Sequence, residues 1–152
     1  EGLEARLLSV MRAKLETIEP YHEFAGVLFR SAADPKSPLN PFSEESGPVR
    51  DEAVALFADV VEGGTKKLPA DLAAELPYLL WVWHMGMILF WVHDESPDRR
   101  RTWRLIQRTA GLIAKLVGLS RYKLLAPLRR TALDLVRELR EDVAREEALP
   151  DS

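Results

Sequence analysis

The sequence contains no cysteine. This absence excludes a disulfide framework, a thiolate metal site and a cysteine nucleophile. Histidine is scarce as well, and His22, His84 and His93 are spaced so that no two of them lie one helical turn apart. Zinc and di-iron sites need ligands at short, regular spacing. We therefore expect no metal ion and no cofactor.

Recognisable catalytic motifs are also missing. There is no HExxH, CxxC or GxSxG pattern, and Gly63-Gly64 has neither the spacing nor the preceding strand of a phosphate-binding loop. We therefore expect the chain not to be an enzyme. An enzyme that uses an apolar pocket remains the least favoured alternative.

An overall basic charge is lacking too. The chain has 21 Lys and Arg against 24 Asp and Glu, which gives a net charge of -3. A protein that grips DNA or RNA by itself usually carries a basic surface. The run DRRRTWR at 98–104 continues into the polar side of a helix, which is more typical of a solvated face than of a phosphate-binding site.

The N-terminus EGLEARLL has neither an initiator methionine nor the pattern of a signal peptide. It already belongs to an amphipathic helix, so we expect a further segment upstream. The absence of a secretion signal and of cysteine favours a cytoplasmic location.

Helical periodicity covers almost the whole chain, and no run of alternating β-branched residues predicts a strand. The pattern predicts an all-α, six-helix bundle at 1–147 with a short tail at 148–152. We predict helices at about 3–18, 21–32, 47–62, 69–93, 96–118 and 121–146, and a proline-rich loop at 34–48. The sixth helix carries a single apolar stripe, typical of a surface helix: Leu124, Leu128, Ala132, Leu135, Leu139 and Val143.

The fourth helix is apolar on every side. From Leu76 to Val92 every residue except His84 is apolar, proline or glycine. A membrane span needs roughly 20 such residues and this run has 17, so we expect a buried helix and no membrane contact.

The fifth helix carries two adjacent apolar stripes, one from Trp103 to Val117 and a second formed by Leu105, Leu112 and Leu116. Two such helices have more apolar surface than one small core needs. We predict a homodimer in which helices four and five form a four-helix bundle with their copies. The alternative is a monomer that hides both helices. The predicted interface comprises Leu79, Trp83, Gly86, Phe90, Ile106, Ala110, Ile113 and Val117.

His84 is the polar residue that the apolar run leaves unexplained, since a buried imidazole needs a hydrogen-bond partner. It is either a satisfied core or interface histidine, or a polar anchor in a pocket for a small ligand. The other candidate ligand-binding residues are aromatic. Possible walls of the pocket are Tyr78, Trp81 and Trp103, and three residues are equally eligible as pocket lining or plain core: Phe24, Phe29 and Phe57.

Two features of the sequence resemble a known family. They are the proline-rich loop after the second helix (DPKSPLNPF) and the strongly apolar pair formed by the fourth and fifth helices (LPYLLWVWHMGMILFWVHD, then SPDRRRTWRLIQRTAGLIAKLVG). From about Leu3 to Glu146 the chain resembles the C-terminal regulatory domain of TetR-family (tetracycline-repressor-like) transcriptional regulators. The resemblance implies a homodimer that holds a small effector in each subunit.

The resemblance also implies helix-turn-helix heads N-terminal to Glu1. Double-stranded operator DNA would then be bound only through those heads, which this chain does not contain. The sixth helix either wraps the subunit or joins the dimer interface. A structural helical module that binds another protein and holds no ligand remains an alternative.

Overall fold

A computed structural model of the protein describes residues 2–64 and 67–147, with side chains described as far as residue 142. All of its regular structure in these residues is helical, so the predicted all-α class is confirmed. The predicted tail at 148–152 lies outside the described residues. The α-helices are α1 (Leu3–Ile18), α2 (His22–Ala32), α3 (Gly47–Glu62), α4 (Ala70–Val92), α5 (Arg100–Leu119) and α6 (Ala126–Glu147).

Helix α4 is the central element of the domain. It packs against α2, α3, α5 and α6, so neighbours surround it on several sides. This arrangement explains why the helix is apolar all round. By length and composition alone α4 would be able to cross a membrane, but half of its most apolar 18-residue window is buried inside the fold.

The core consists of two clusters that follow one another along α4. The first includes Leu7 of α1, Phe57 of α3 and the α4 residues Leu76 and Trp81. The second joins Met11 and Leu15 of α1 to Met87, Ile88 and Trp91 of α4 and Ile106 of α5. Helix α1 therefore contributes to both clusters, which links the two ends of the domain.

Helix α5 begins later than the sequence predicts. Ser96 and Pro97 were expected to start it, but residues Pro97–Arg99 form a short 3-10 turn and the α-helix starts at Arg100. Asp98 (φ 52°) and Arg99 (φ 50°) are both left-handed, which an α-helix cannot accommodate. The N-cap residue of α5 is therefore Arg99 and not Ser96, although the Oγ of Ser96 still accepts a hydrogen bond from the backbone N–H of Arg101 at 3.2 Å.

Helix α6 faces the domain with a different side from its apolar stripe. The predicted helix begins later than expected, because Leu124 belongs to the 3-10 turn Lys123–Leu125, but Leu124 and the α6 residues Leu128, Leu135 and Leu139 are each more than half exposed. Leu133 is buried instead, on the side that contacts α4. The side chain of Val143 lies outside the described residues. Within one subunit the stripe of α6 is thus directed to solvent.

Candidate functional site

His84 lies in the middle of α4, between the segments of the helix that belong to the two core clusters. Its side chain is only 8% exposed, and its ring centroid lies 5.7 Å from that of Phe57 on α3. Its Nδ1 atom has no hydrogen-bond partner among the described residues. A buried polar atom without a partner costs free energy, so the described residues leave the hydrogen-bonding capacity of this atom unused.

The charge state of His84 is set by its surroundings. Burial, with a smaller contribution from the positive charge of Lys14, lowers the pKa of His84 to about 4. The imidazole is therefore neutral at physiological pH, with one nitrogen that donates and one that accepts a hydrogen bond. A neutral imidazole in apolar surroundings suits an uncharged hydrogen-bonding group better than a bare anion or cation.

Trp81 lies about one turn from His84 towards the start of α4, and Tyr78 lies about one turn farther. Their ring centroids are 5.5 Å apart, and Phe42 contacts Trp81 edge to face at 5.4 Å. Phe42 belongs to the proline-rich loop and was not predicted. The loop is held to α3 by Arg50, whose Nη1 donates to the carbonyl oxygens of Pro41 at 2.9 Å and Ser43 at 3.0 Å. The structure thus brings predicted aromatics of α3 and α4 together and adds one from the loop.

Three other predicted ligand-binding residues lie elsewhere. Phe29 and Trp103 are half-buried against the second core cluster, and the Arg12 guanidinium lies 5.8 Å from the Trp103 ring. Phe24 is 64% exposed, because α2 turns Ala25 and Phe29 towards the core and leaves Phe24 on its outer side. Phe24 therefore does not line an enclosed site within this subunit.

The residues predicted for the dimer interface fall mostly inside the subunit. Ile106 and Ala110 are completely buried, so they have no surface to offer a partner, and their assignment to the interface has to be corrected. Leu79, Trp83, Ile113 and Val117 are partly buried against the core. The cause is that α4 and α5 pack on each other, and Trp83 Nε1 donates to Thr109 Oγ1 at 2.9 Å across that contact. Gly86 and Phe90 remain exposed.

One exposed apolar surface consists of the second stripe of α5 together with the stripe of α6. Leu112 and Leu116 are each 56% exposed, and Leu119 continues their row. Apolar rows of this length on neighbouring helices are unusual on a monomer and typical of a protein interface.

Ion pairs between α4 and α6 were also missed by the sequence analysis. Glu75 is buried and accepts hydrogen bonds from Arg137 Nε at 3.2 Å and Arg140 Nη1 at 2.8 Å. Asp71 accepts one from Arg129 Nε at 2.9 Å. No sequence signal pairs acids on one helix with arginines sixty residues away, so only the structure could reveal these contacts.

Two cavities are found away from His84. One of about 360 Å³ lies where the start of α1 meets the ends of α3 and α5. The other, of about 420 Å³, is a polar groove between the start of α4 and α6. Neither is lined by any of the predicted ligand-binding residues. Among the side chains that the structure describes, no group of three or more acidic or histidine residues is arranged to hold a metal ion.

Comparison with known proteins agrees with the fold. A search of curated proteins returns no significant match. The family model described as "Tetracyclin repressor-like, C-terminal domain" matches residues 6–139, which is most of the chain and includes the helices around His84. The resemblance noted from the sequence is thereby confirmed, and the chain belongs to the family of tetracycline repressor-like C-terminal domains.

Proposed function

We propose that this chain is the regulatory domain of a TetR-like transcriptional regulator, and that it dimerises and binds a small, largely apolar effector. Membership of the family supports a ligand-sensing, regulatory role. The single observation that carries the effector proposal is the unpartnered Nδ1 of buried His84 beside Phe57. An apolar molecule with one hydrogen-bonding group would satisfy that atom and contact the surrounding aromatic rings.

The proposed effector site lies where α4 meets α3, with Tyr78 and Trp81 on the same helix as His84. Helix α2 packs farther along α4, where His22 Nε2 lies 2.9 Å from the carbonyl oxygen of Trp91. An effector held at His84 would therefore touch the boundary between the two core clusters. Because α1 belongs to both clusters, occupation of this site would affect the position of α1.

For the dimer we propose the outward rows of α5 and α6 as the interface. The exposed leucines of both helices support this choice, whereas Ile106 and Ala110 are buried in the core of the subunit itself. Charge supports it too. The row on α5 is flanked by exposed Arg104, Arg108 and Lys115, and the row on α6 by exposed Asp134 and Glu138. A two-fold axis that sets α5 against α6 of the partner would bring opposite charges together.

The DNA-reading part of the regulator would be a helix-turn-helix head preceding Glu1, joined to α1. Dimeric heads of this type read half-sites in successive major grooves, so a small shift of α1 would alter operator affinity. A coupling of about 1–3 kcal/mol between effector and DNA is sufficient for such control. The domain would have no enzymatic activity of its own and would act in the cytoplasm.

Native mass spectrometry of the intact gene product tests this proposal. We expect a dimer that retains a small molecule, and loss of that molecule in the His84→Leu variant. His93→Gln is the matched control, since His93 is exposed at the C-terminal end of the same helix, away from His84, and this variant should retain the molecule. A protein that stays monomeric at high concentration and retains no ligand would contradict the proposal. Assembly with a different protein and no ligand would favour the structural module instead.

A further inference from the structure

The proposed effector site at His84 is closed to solvent. The imidazole is 8% exposed, and the neighbouring rings of Trp81 and Phe57 are 3% and 1% exposed. A ligand therefore reaches the imidazole only when some part of the surrounding structure moves. The part that moves most easily is the one whose displacement breaks the fewest core contacts.

The proline-rich loop at 34–46 lies beside this site without belonging to either core cluster. None of its residues is buried. The hydrogen bonds that the structure gives the loop stay within it or end on the first turn of α3. Because Pro35, Pro38 and Pro41 each fix a φ angle inside the loop, we expect it to move as one piece.

Two side-chain contacts connect the loop to α3 and α4. The ring of Phe42 lies edge to face on Trp81, with the centroids 5.4 Å apart, yet Phe42 itself is 42% exposed. It therefore covers Trp81 from the solvent side. Arg50 Nη1 donates to the carbonyl oxygens of Pro41 at 2.9 Å and Ser43 at 3.0 Å, which lie on either side of Phe42 in the chain. One side chain of α3 thus fixes the backbone that carries the ring.

Behind Phe42 the rings lead towards the imidazole. Trp81 and His84 are three residues apart on α4, so they are neighbours on the same side of the helix. Phe57 lies 5.7 Å from His84 and belongs to the same core cluster as Trp81. Displacement of Phe42 would therefore open a path from solvent along Trp81 to His84.

We propose that the loop at 34–46 is the lid of the effector site, in which Phe42 closes the entrance and Arg50 holds the closed position. The lid opens when the loop moves away from α4 about its two ends, next to α2 and α3. An apolar ligand then enters between the loop and α4. The purpose of the lid rests on the proposed effector function, whereas its opening is a property of the ligand-free protein and is measured without any effector.

Modification of His84 by diethyl pyrocarbonate tests the lid. This small reagent acylates unprotonated imidazoles, and His84 is unprotonated at pH 7 because burial lowers its pKa to about 4. Peptide mapping by mass spectrometry follows His84 and the exposed His93 separately in the same sample. We expect His84 to react about tenfold faster in Arg50→Gln than in wild type, because the lost hydrogen bonds from a charged group favour the open loop. The rate at His93 should not change.

Further variants separate movement of the loop from other causes. Phe42→Ala should also accelerate the reaction at His84, since it removes the cover and leaves Arg50 in place. Arg108→Gln is the matched control, an exposed arginine on α5, and should leave the rate unchanged. Ile106→Val weakens the second core cluster and should leave it unchanged too.

Two results would overturn the lid. One is an unchanged rate at His84 in Arg50→Gln, and the other is equal acceleration in Arg50→Gln and Ile106→Val, which would indicate general unfolding. The outcome is independent of the effector proposal. A loop that opens in a protein that retains no small molecule would contradict the effector proposal alone, and a retained molecule beside a loop that does not open would contradict the lid alone.

Discussion

Asp94 and Thr102 join the end of α4 to the start of α5 through two hydrogen bonds on one carboxylate oxygen. The Thr102 backbone N–H and its Oγ1–H donate to Asp94 Oδ2 at 2.9 and 2.7 Å, and Ser96 N–H donates to Oδ1 at 2.9 Å. Burial by itself would raise the pKa of Asp94, but the bonds from Ser96 and Thr102 outweigh it. The pKa of Asp94 therefore lies well below its usual range.

The first prediction concerns the Thr102 hydroxyl. Thr102→Val should lower the free energy of unfolding by about 1–3 kcal/mol, because a buried charged acceptor loses a donor. The control is Thr131→Val, whose exposed hydroxyl bonds only the carbonyl of its own helix. Urea denaturation measures both. Because folding lowers the pKa of Asp94 well below 3.8, the stabilisation from these hydrogen bonds is complete above about pH 4 and is lost progressively below it, so the difference from wild type should shrink in strongly acidic solution. A difference that stays constant with pH would contradict this assignment.

The second prediction concerns His84 and pH. Between its usual pKa near 6.5 and its folded value of about 4, the unfolded chain binds a proton that the folded chain does not. The free energy of unfolding should therefore fall as the pH is lowered through this window, by up to about 3 kcal/mol. His84→Leu should remove that loss, and should also stabilise the ligand-free protein at pH 7 because the unpartnered nitrogen is gone.

Denaturation curves at pH 7 and pH 5 measure this effect, with His93→Gln as the control. If wild type and His84→Leu lost stability equally on acidification, the buried imidazole would not be the group responsible. A gain in stability at pH 7 together with loss of the retained ligand would show that His84 serves binding at the expense of the fold.

The order and character of the helices followed from sequence, because periodicity and proline or glycine breaks are local signals. The start of α5 could not be predicted in this way, because no local signal in Pro97-Asp98-Arg99 indicates two consecutive left-handed residues. The buried position of His84 also followed from its apolar neighbours. Its missing partner could not be predicted, because that depends on what other helices place beside it.

The sides of the helices that meet were harder to predict than the helices themselves. On α6 the leucine stripe indicated a packing side, yet Leu133 and three arginines face α4. An apolar stripe indicates a surface that is buried in the complete assembly. Such a stripe can therefore be exposed when a single subunit is considered. The sequence predicted both apolar stripes of α5. Only the structure shows that the stripe containing Ile106 is buried in the core and that the stripe containing Leu112 is exposed.

The third prediction concerns the attachment of α6. Glu75→Gln should speed amide exchange in residues 126–142 about tenfold or more, because a hydrogen bond between charged groups contributes about 1.5 kcal/mol or more. Arg140 would also lose the position in which its guanidinium lies 4.1 Å from the Tyr78 ring. Hydrogen–deuterium exchange followed by mass spectrometry measures the effect. Asp134→Asn removes only an exposed pair with Arg137 and should leave exchange unchanged; equal acceleration in both variants would refute the role of Glu75.

The fourth prediction concerns the proposed dimer surface. Leu116→Glu places a charge in the outward row of α5 and should weaken dimerisation at least about a hundredfold, since burying an unpaired charge is costly. Light scattering after size exclusion should then report one subunit, 17.2 kDa for this chain, in place of two. Val49→Glu is the matched control, because Val49 is an exposed apolar residue on α3. Dimers that persist in Leu116→Glu and dissociate in Val49→Glu would place the interface elsewhere.

The fifth prediction separates strain from contact in the turn before α5. Asp98 and Arg99 are both left-handed, which costs a non-glycine residue about 1–2 kcal/mol. Asp98→Gly should therefore raise the free energy of unfolding by about 0.5–1 kcal/mol, once the greater freedom of glycine in the unfolded chain is subtracted.

Arg99→Gly relieves the same strain but removes the ion pair of Arg99 Nε with Glu19 Oε1 at 3.1 Å. Glu19 also accepts a hydrogen bond from the buried Trp91 Nε1 at 2.8 Å, so its position affects the second core cluster. Arg99→Gly should thus destabilise the protein, and thermal unfolding should shift in opposite directions for the two variants. Stabilisation by both would mean that the Arg99 contacts contribute less than the strain they maintain.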